Sequence, residues 1–305
     1  MMKFAVGAIF KNEDAYVLEW LAFHKIVGFS HFLIADNDST DLTRQILSIL
    51  QRHEPITLVD YPDEPDVRPQ LGAYNLLSRE CPDDIDAIAF IDADEFITPM
   101  DGANSVVPKL TELFSDPDVG GVALNWACFG SGGERFWEDG LVIERFLRRS
   151  LIKFSVNQHY KAVVRPTSVD HWATPHHAVL TQGRYVDATG TDLIFRDGRQ
   201  DSLSKAVIWS NMRINHYVVK SFEEFVLRKS PKGSATKAGR IKHRKYFELH
   251  DKNNEQCDDM LTFVPAVKAE VARLEALIAP ELEARAPGSP WRQWLHSLKS
   301  GLQRG

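Results

Sequence analysis

Asp92-Ala93-Asp94 is where this sequence is best equipped for chemistry. Two carboxylates at i and i+2, just past the short apolar run Ala87 to Ile91, can reach one hard divalent cation, directly or through water. Mg2+ and Mn2+ bind such sites with few protein ligands and complete their shell with substrate phosphates. The plain alternative is a pair of solvated turn carboxylates, and position in the fold decides between the two. Two further polar clusters stand upstream, Lys11-Asn12-Glu13 and Asp36-Asn37-Asp38-Ser39-Thr40-Asp41. Asp, Asn and Ser are ordinary turn and N-cap residues. The second cluster nevertheless holds more of them than one cap requires, and sugar or ribose hydroxyls would suit it. Lys11 to Glu13 fits a helix start and a ligand contact equally.

The elements that must hold these clusters alternate. Lys3 to Phe10, His31 to Ala35, Ile56 to Tyr61 and Ala87 to Ile91 read as short strands, apolar on both faces. Between them, Val17, Trp20, Leu21 and His24 share one helical face, with Asn12 or Asp14 as cap and Gly28 as stop. Leu42, Gln45, Ile46, Ile49 and Leu50 follow helical spacing, and Leu71 to Cys81 reads as a third helix. Alternating strands and helices predict an α/β fold with a parallel sheet covered on both faces. Ligands of such sheets bind beyond the carboxyl ends of the strands. That rule puts all three polar clusters on one rim.

From about residue 119 the pattern becomes a mixed sheet. Strands are expected over Val122 to Trp126, Lys161 to Arg165, Arg184 to Asp187 and Ile208 to Tyr217. Leu261, Val264, Val267, Val271, Leu274 and Ile278 mark a helix over Asp258 to Ile278. The expected organisation is a parallel α/β half over 1–120, a mixed half over 121–250, and a C-terminal helical extension over 251–305; the family resemblance described below implies that the first half binds a nucleotide sugar and the second faces the acceptor.

Composition narrows the partners. Over 305 residues, 36 Lys and Arg face 42 Asp and Glu, a net charge of −6, which argues against a general nucleic-acid binder. Cys81, Cys128 and Cys257 lack the spacing of a zinc or redox site, so a reducing, cytoplasmic setting is expected. No apolar run approaches the roughly 20 residues of a membrane span. After Pro290, Trp291, Trp294, Leu295, Leu298 and Leu302 fall on one face. That stripe either packs onto the body or makes peripheral contact with a membrane.

The motifs, taken in order, resemble a glycosyltransferase of the GT-A fold, in the family 2-like and family 92-like group. Those motifs are Lys11-Asn12-Glu13, Glu19-Trp20 with His24, Asp36 to Asp41, and Ile91 to Phe96. Downstream come Asn125-Trp126, Phe129 to Gly133, Lys161 with Arg165-Pro166, Pro175-His176, and Asn215-His216-Tyr217 with Lys220-Ser221. The resemblance spans roughly residues 3 to 232. It implies a Rossmann-like nucleotide-binding half, a mixed, mainly parallel central sheet, and C-terminal helices.

It also implies roles. Lys11, Asn12, Glu13, Asp36, Asn37 and Asp38 would line the nucleotide pocket, with Gln70 against the base or ribose. Asp92 and Asp94 match the family's metal motif, Asp94 being the direct ligand, with Ala93 between them on the donor side. His216 matches the histidine that completes the metal site, although a strand-end core histidine would look the same. Lys220 and Lys229 would sit near the diphosphate. The cofactor implied is Mn2+ or Mg2+.

Physical chemistry supports those roles. Cleaving the anomeric C–O bond leaves a nucleoside diphosphate whose growing negative charge a cation and a lysine stabilise. An inverting transfer also needs a base for the acceptor hydroxyl. The Gly-rich loop Gly130 to Asp139 is the place to look, with Glu134 or Asp139 as candidates and mobility expected of its glycines. Relatives often carry histidine where Glu134 stands. At Lys229-Ser230-Pro231-Lys232-Gly233 the sequence departs from the family's Lys, two residues, Arg-Gly, which loses bidentate geometry but keeps the charge. Arg228 to Lys245 holds eight Lys or Arg and no acid, either an exposed loop or a lid over the diphosphate.

The expected function is therefore a metal-dependent transfer of a hexose from a nucleotide-diphosphate sugar, UDP-linked by preference, to a glycan or lipid-linked acceptor with inversion. The alternatives are a nucleotidyltransferase or phosphotransferase using the same rim, and a glycan-binding module without catalysis.

Overall fold

The computed structural model describes residues 2–64, 69–232 and 241–285. β1 (Phe4–Phe10), α1 (Val17–Ile26), β2 (His31–Asp36), α2 (Thr43–Leu50), β3 (Ile56–Asp60), α3 (Pro69–Arg79) and β4 (Ala87–Phe90) alternate as the pattern predicts. These four strands lie in the order β3-β2-β1-β4 and are parallel throughout.

The second half is mixed. It contains β5 (Glu95–Pro99), α4 (Val107–Phe114), β6 (Val119–Cys128), α5 (Val142–Arg145), β7 (Arg148–Arg149) and β8 (Tyr160–Val164). β9 (Val169–Trp172), β10 (Ala178–Leu180), β11 (Arg184–Asp187) and β12 (Met212–His216) follow. The sheet continues beyond β4 as β8-β6-β12-β5, with β11 on β6. β8 runs antiparallel to β4 and β6, and β5 antiparallel to β12, while β6 and β12 are parallel. The carboxyl ends of β1, β2, β4, β6 and β12 therefore share one rim. α6 (Phe222–Glu224), α7 (Arg244–His250), β13 (Glu255–Gln256) and α8 (Val264–Arg285) complete the described chain.

Alternate residues of β1 serve opposite faces. Phe4, Val6, Ala8 and Phe10 join the larger core with α1, α2, α4 and α8. Ala5 faces the smaller one with Tyr74, Leu77, Ile88 and Phe90. Gly7 is obligatory, because a Cβ there would lie 2.6 Å from the Phe90 ring.

Several expectations need correcting. α1 has no side-chain cap, and every residue from Val17 to His24 is buried, so its apolar face is not a stripe. Asn12 and Asp14 serve the rim instead. β5 was not expected: Glu95 to Pro99 contains Thr and Pro, and its pairing with β12 is a long-range contact with no local signal. The last helix begins at Val264, after a 3-10 turn over Asp259–Phe263. The Trp-bearing tail, residues 286–305, and residues 233–240 of the basic stretch lie outside the described residues.

Candidate donor and metal site

The loops after β1 and β2 are laced into one surface. Asn12 adopts φ 56°, and its Oδ1 accepts the backbone N–H groups of Thr40 (2.7 Å) and Asp41 (3.3 Å). Its own N–H donates to Ser39 Oγ (3.0 Å), while Glu13 N donates to Thr43 Oγ1 (2.7 Å). Asn37 Nδ2 donates to the Tyr61 carbonyl (2.9 Å), and Asp63 N donates to Asp38 Oδ2 (2.9 Å). Lys11 pairs with Asp63. Asp36 is buried at the end of β2, and its Oδ1 has no hydrogen-bond partner. An orphaned buried carboxylate oxygen is costly, and a ligand hydroxyl would relieve it.

Asp92 sits where β4 ends. Its Oδ1 accepts from Gln70 Nε2 (2.7 Å) and Tyr74 OH (3.2 Å), and Lys161 Nζ lies 3.1 Å away. Lys161, on β8, is 1% exposed and also lies 3.5 Å from Glu95 Oε2. Burial works against its charge, but Asp92 and Glu95 outweigh burial and raise its pKa. Burial pushes Glu95 up to about 8, with Lys161 opposing. Trp20 Nε1 donates to the backbone carbonyls of Asp92 (3.2 Å) and Glu95 (3.1 Å), tying α1 to the turn. Its neighbour Glu19 accepts the Val142 and Ile143 N–H groups (2.8 and 3.0 Å) at the start of α5.

Asp94 meets the residues delivered by β12. His216 Nε2 lies 3.6 Å from Asp94 Oδ2, and Tyr217 N donates to the Asp94 carbonyl (2.9 Å). Burial lowers the His216 pKa, with Asp94 opposing, so the imidazole is neutral near pH 7. Lys229 pairs with the Asp94 carboxylate. Burial disfavours the Asp94 charge, but Lys229 and His216 more than offset that and hold its carboxyl well below the usual range. Lys220 adopts φ 55° and lies 4.2 Å above the Tyr16 ring. Its position follows from the capping box behind it: Ser221 Oγ accepts from Glu224 N, and Glu224 Oε2 from Ser221 N, each at 3.2 Å.

The described part of the basic stretch folds onto the acidic rim. Arg228 meets Asp14 at 2.7 Å and Asp41 at 3.4 Å, and Lys232 meets Glu13 at 2.5 Å. Lys242 is pulled down to about 7 by burial and then by Lys229.

The Gly130 to Asp139 loop is less free than its glycines suggest. Ser131 N donates to Asp251 Oδ1 and Gly132 N to Asn253 Oδ1, both at 2.7 Å, and Gly130 N bonds the Arg148 carbonyl (2.9 Å). Glu134 is half-buried, and its carbonyl receives Phe222 N (3.2 Å). Asp139 is exposed at a recess lined also by Tyr16, Glu19, Trp137 and Arg145. The structure thus groups the expected donor and metal residues on the rim, and of the two candidate bases only Asp139 lines that recess. Lys161, Tyr74 and Glu95 were not singled out as site residues. A buried lysine inside an apolar strand (Tyr160–Val164) was the available signal.

The sequence model of glycosyltransferase family 92 matches residues 2–257. The chain belongs to glycosyltransferase family 92. Among curated proteins, no sequence matches it. Solved structures similar to it include S. aureus TarS 1-349 in complex with UDP-GlcNAc, at 12% identity and TM-score 0.44, covering 99% of this chain and 81% of that one. Another is the mannosyltransferase PcManGT from Pyrobaculum calidifontis in complex with GDP-Man and Mn2+, at 15% identity and TM-score 0.41, covering 97% and 84%. Against a further TarS 1-349 structure the match has 14% identity and TM-score 0.37, and covers 54% of this chain and 48% of that one, about half its length. The parallel half, the mixed second half and the C-terminal helices give this family 92 member a mixed α/β fold around a mainly parallel central sheet.

The residues present fit a metal of the Mn2+ class in part. Asp94, held anionic, and His216, held neutral, are the donor types such an ion takes. The second ring nitrogen of His216, Nδ1, is buried without a partner. Asp92 has one oxygen committed to Gln70, Tyr74 and Lys161. Among the described residues no group of three or more His, Cys, Asp and Glu is arranged around a metal-sized space. Phosphate oxygens of a substrate would have to complete the shell.

Proposed function

We propose that this family 92 chain transfers a hexose from a nucleotide-diphosphate sugar, UDP-linked by preference, to a glycan or lipid-linked acceptor, with inversion and with the help of Mn2+ or Mg2+. The single observation that supports this reading best is the convergence of Asp94, His216, Lys220 and Lys229 beside the Asn12-laced loops of β1 and β2. A divalent ion held by Asp94 and His216 would supply charge stabilisation for the departing diphosphate.

The chain's own residues would do the rest. Asp36, Asn37 and Asp38, with Lys11, Asn12 and Glu13, face the nucleoside, and the orphaned Asp36 Oδ1 suits a ribose hydroxyl. Lys220 and Lys229 bring cationic charge to the diphosphate. Gln70, Tyr74 and Lys161 keep Asp92, next to Ala93, in one orientation against the donor sugar. The proton of the acceptor hydroxyl would pass to Glu134 or Asp139, two of the three carboxylates of the loop after β6. Such a base must lie within about 3 Å of that hydroxyl in the complex.

Calorimetric titration with UDP, GDP and CMP, each with and without Mn2+, tests the proposal. The expected result is Mn2+-dependent UDP binding that Asp94→Ala abolishes, a loss of 100-fold or more, on the order of 3 kcal/mol. Failure to bind any of the three nucleotides overturns it.

A further inference from the structure

The basic segment after α6 is docked on the acidic rim at three points. Arg228 Nη1 lies 2.7 Å from Asp14 Oδ1 and 3.4 Å from Asp41 Oδ2. Lys232 Nζ lies 2.5 Å from Glu13 Oε1, and between the two Lys229 pairs with Asp94. Lys229 closes a π-turn over Phe225–Lys229, in which Ser230 N donates to the Phe225 carbonyl (2.8 Å). That turn grows out of the Ser221 and Glu224 capping box. Glu224 is itself fixed by Arg145 Nη2 (2.8 Å) and Tyr16 OH (3.0 Å). The ammonium is therefore delivered by an anchored element.

The atom it meets decides what it can do. Lys229 Nζ pairs with Asp94 Oδ2, and the same Oδ2 faces His216 Nε2 at 3.6 Å. Asp94 and His216 are 7% and 5% exposed, so water screens this oxygen poorly. A cation held by both side chains would use that oxygen, which already carries a positive partner. A divalent ion gains the carboxylate fully only by expelling the ammonium, and the expelled charge needs a new partner. Its cationic neighbours offer none. Burial lowers the pKa of Lys220 and pulls that of Lys242 to about 7, and the charge of Lys229 pushes both the same way. A diphosphate would supply the missing anionic charge.

We propose that Lys229 is an internal counter-ion that keeps Asp94 from a free divalent cation until a nucleoside diphosphate takes over its ammonium. The inference rests on the reading of Asp94 and His216 as a metal site beside the diphosphate. Cation and nucleotide then raise each other's affinity by one shared factor, and Lys229 enlarges that factor by penalising the cation alone. A lysine that only stabilised its own turn would leave the factor unchanged.

Calorimetric titration of the full chain with MnCl2, in the absence and presence of UDP, tests the proposal on wild type, Lys229→Gln, Lys229→Arg and Lys232→Gln. Wild type should bind Mn2+ alone weakly. In Lys229→Gln that binding should tighten about tenfold, and the gain in Mn2+ affinity conferred by UDP should shrink about tenfold. Lys229→Arg keeps the charge and should bind Mn2+ alone as weakly as wild type. Lys232→Gln removes the same charge from the rim but not from Asp94, and should also stay weak. In melts, Lys229→Gln should start below wild type and gain more from added Mn2+, so a variant that folds only with the ion still gives the expected result. Binding of Mn2+ alone that is unchanged, weaker or absent in Lys229→Gln overturns the proposal, as does equal tightening in Lys232→Gln. If UDP still binds with Mn2+ in that event, the nucleotide reading stands and only the role of Lys229 falls; if no nucleotide binds wild type, both fall.

Discussion

Lys161 shows how one buried cation organises a site. It lies in an apolar strand, almost without exposure, with Asp92 and Glu95 as its counter-charges. Removing one member of a buried ionic set costs more than the set contributes, because the remaining charges stay uncompensated. Lys161→Met should therefore cost about 3 kcal/mol in a urea titration, with part regained in Lys161→Met/Glu95→Gln. Glu95, pushed up to about 8 by burial, can accommodate part of the loss by taking up a proton. A nucleotide titration on the same variant reads the second consequence. Asp92, released from Lys161, should bind nucleotide several-fold more weakly even where the fold survives.

At the scale of elements, the rim is built by loops that brace one another, and Asn12 is the brace. Asn12→Ala removes an acceptor of two backbone N–H groups and places a Cβ residue without local hydrogen bonding at φ 56°. The expected cost is about 2 kcal/mol in thermal or chemical melts. Asn12→Gly should recover only the conformational share. If the two variants melt alike, the positive φ contributes little and the loss is that of the acceptor bonds.

The same elements show how far the sequence could be read. The alternation of short apolar runs placed β1 to β4 within a residue or two, and the carboxyl-end rule brought Lys11, Asp36 and Asp92 to one rim. Period and polarity are local signals, so they survive without coordinates. β5 did not announce itself, because Glu95 to Pro99 becomes a strand only through pairing with β12 more than 100 residues later. Asn12 and Asp14 looked like caps for α1, since the residue types that cap helices also bridge loops. The basic stretch could be read as solvated or as ligand-facing. Its pairing with Asp14, Asp94 and Glu13 depends on tertiary placement that composition does not encode.

Across the whole molecule, the family match ends at residue 257 but the core does not. Val267, Val271, Leu274 and Ile278 of α8 belong to the larger core, and α8 packs against α1 and α2. Lys25 meets Glu270 at 2.5 Å and Arg273 pairs with Glu54, so charge as well as apolar area joins the two ends of the chain. Leu274→Ala should lower global stability by about 2–5 kcal/mol in a single unfolding transition. A separate early transition would instead mark the residues after 250 as an independent unit. Arg228 to Asp14 and Lys232 to Glu13 bridge 214 and 219 residues of sequence. Such contacts lie at the far end of chain connectivity, where loop-closure entropy is largest and nothing local can hold the partners together. On the proposed reading, nucleotide occupancy of this rim would be coupled to the ordering of nearly the whole polypeptide. A bound donor would act as a clasp for the fold, and melting temperature would report occupancy as directly as calorimetry does.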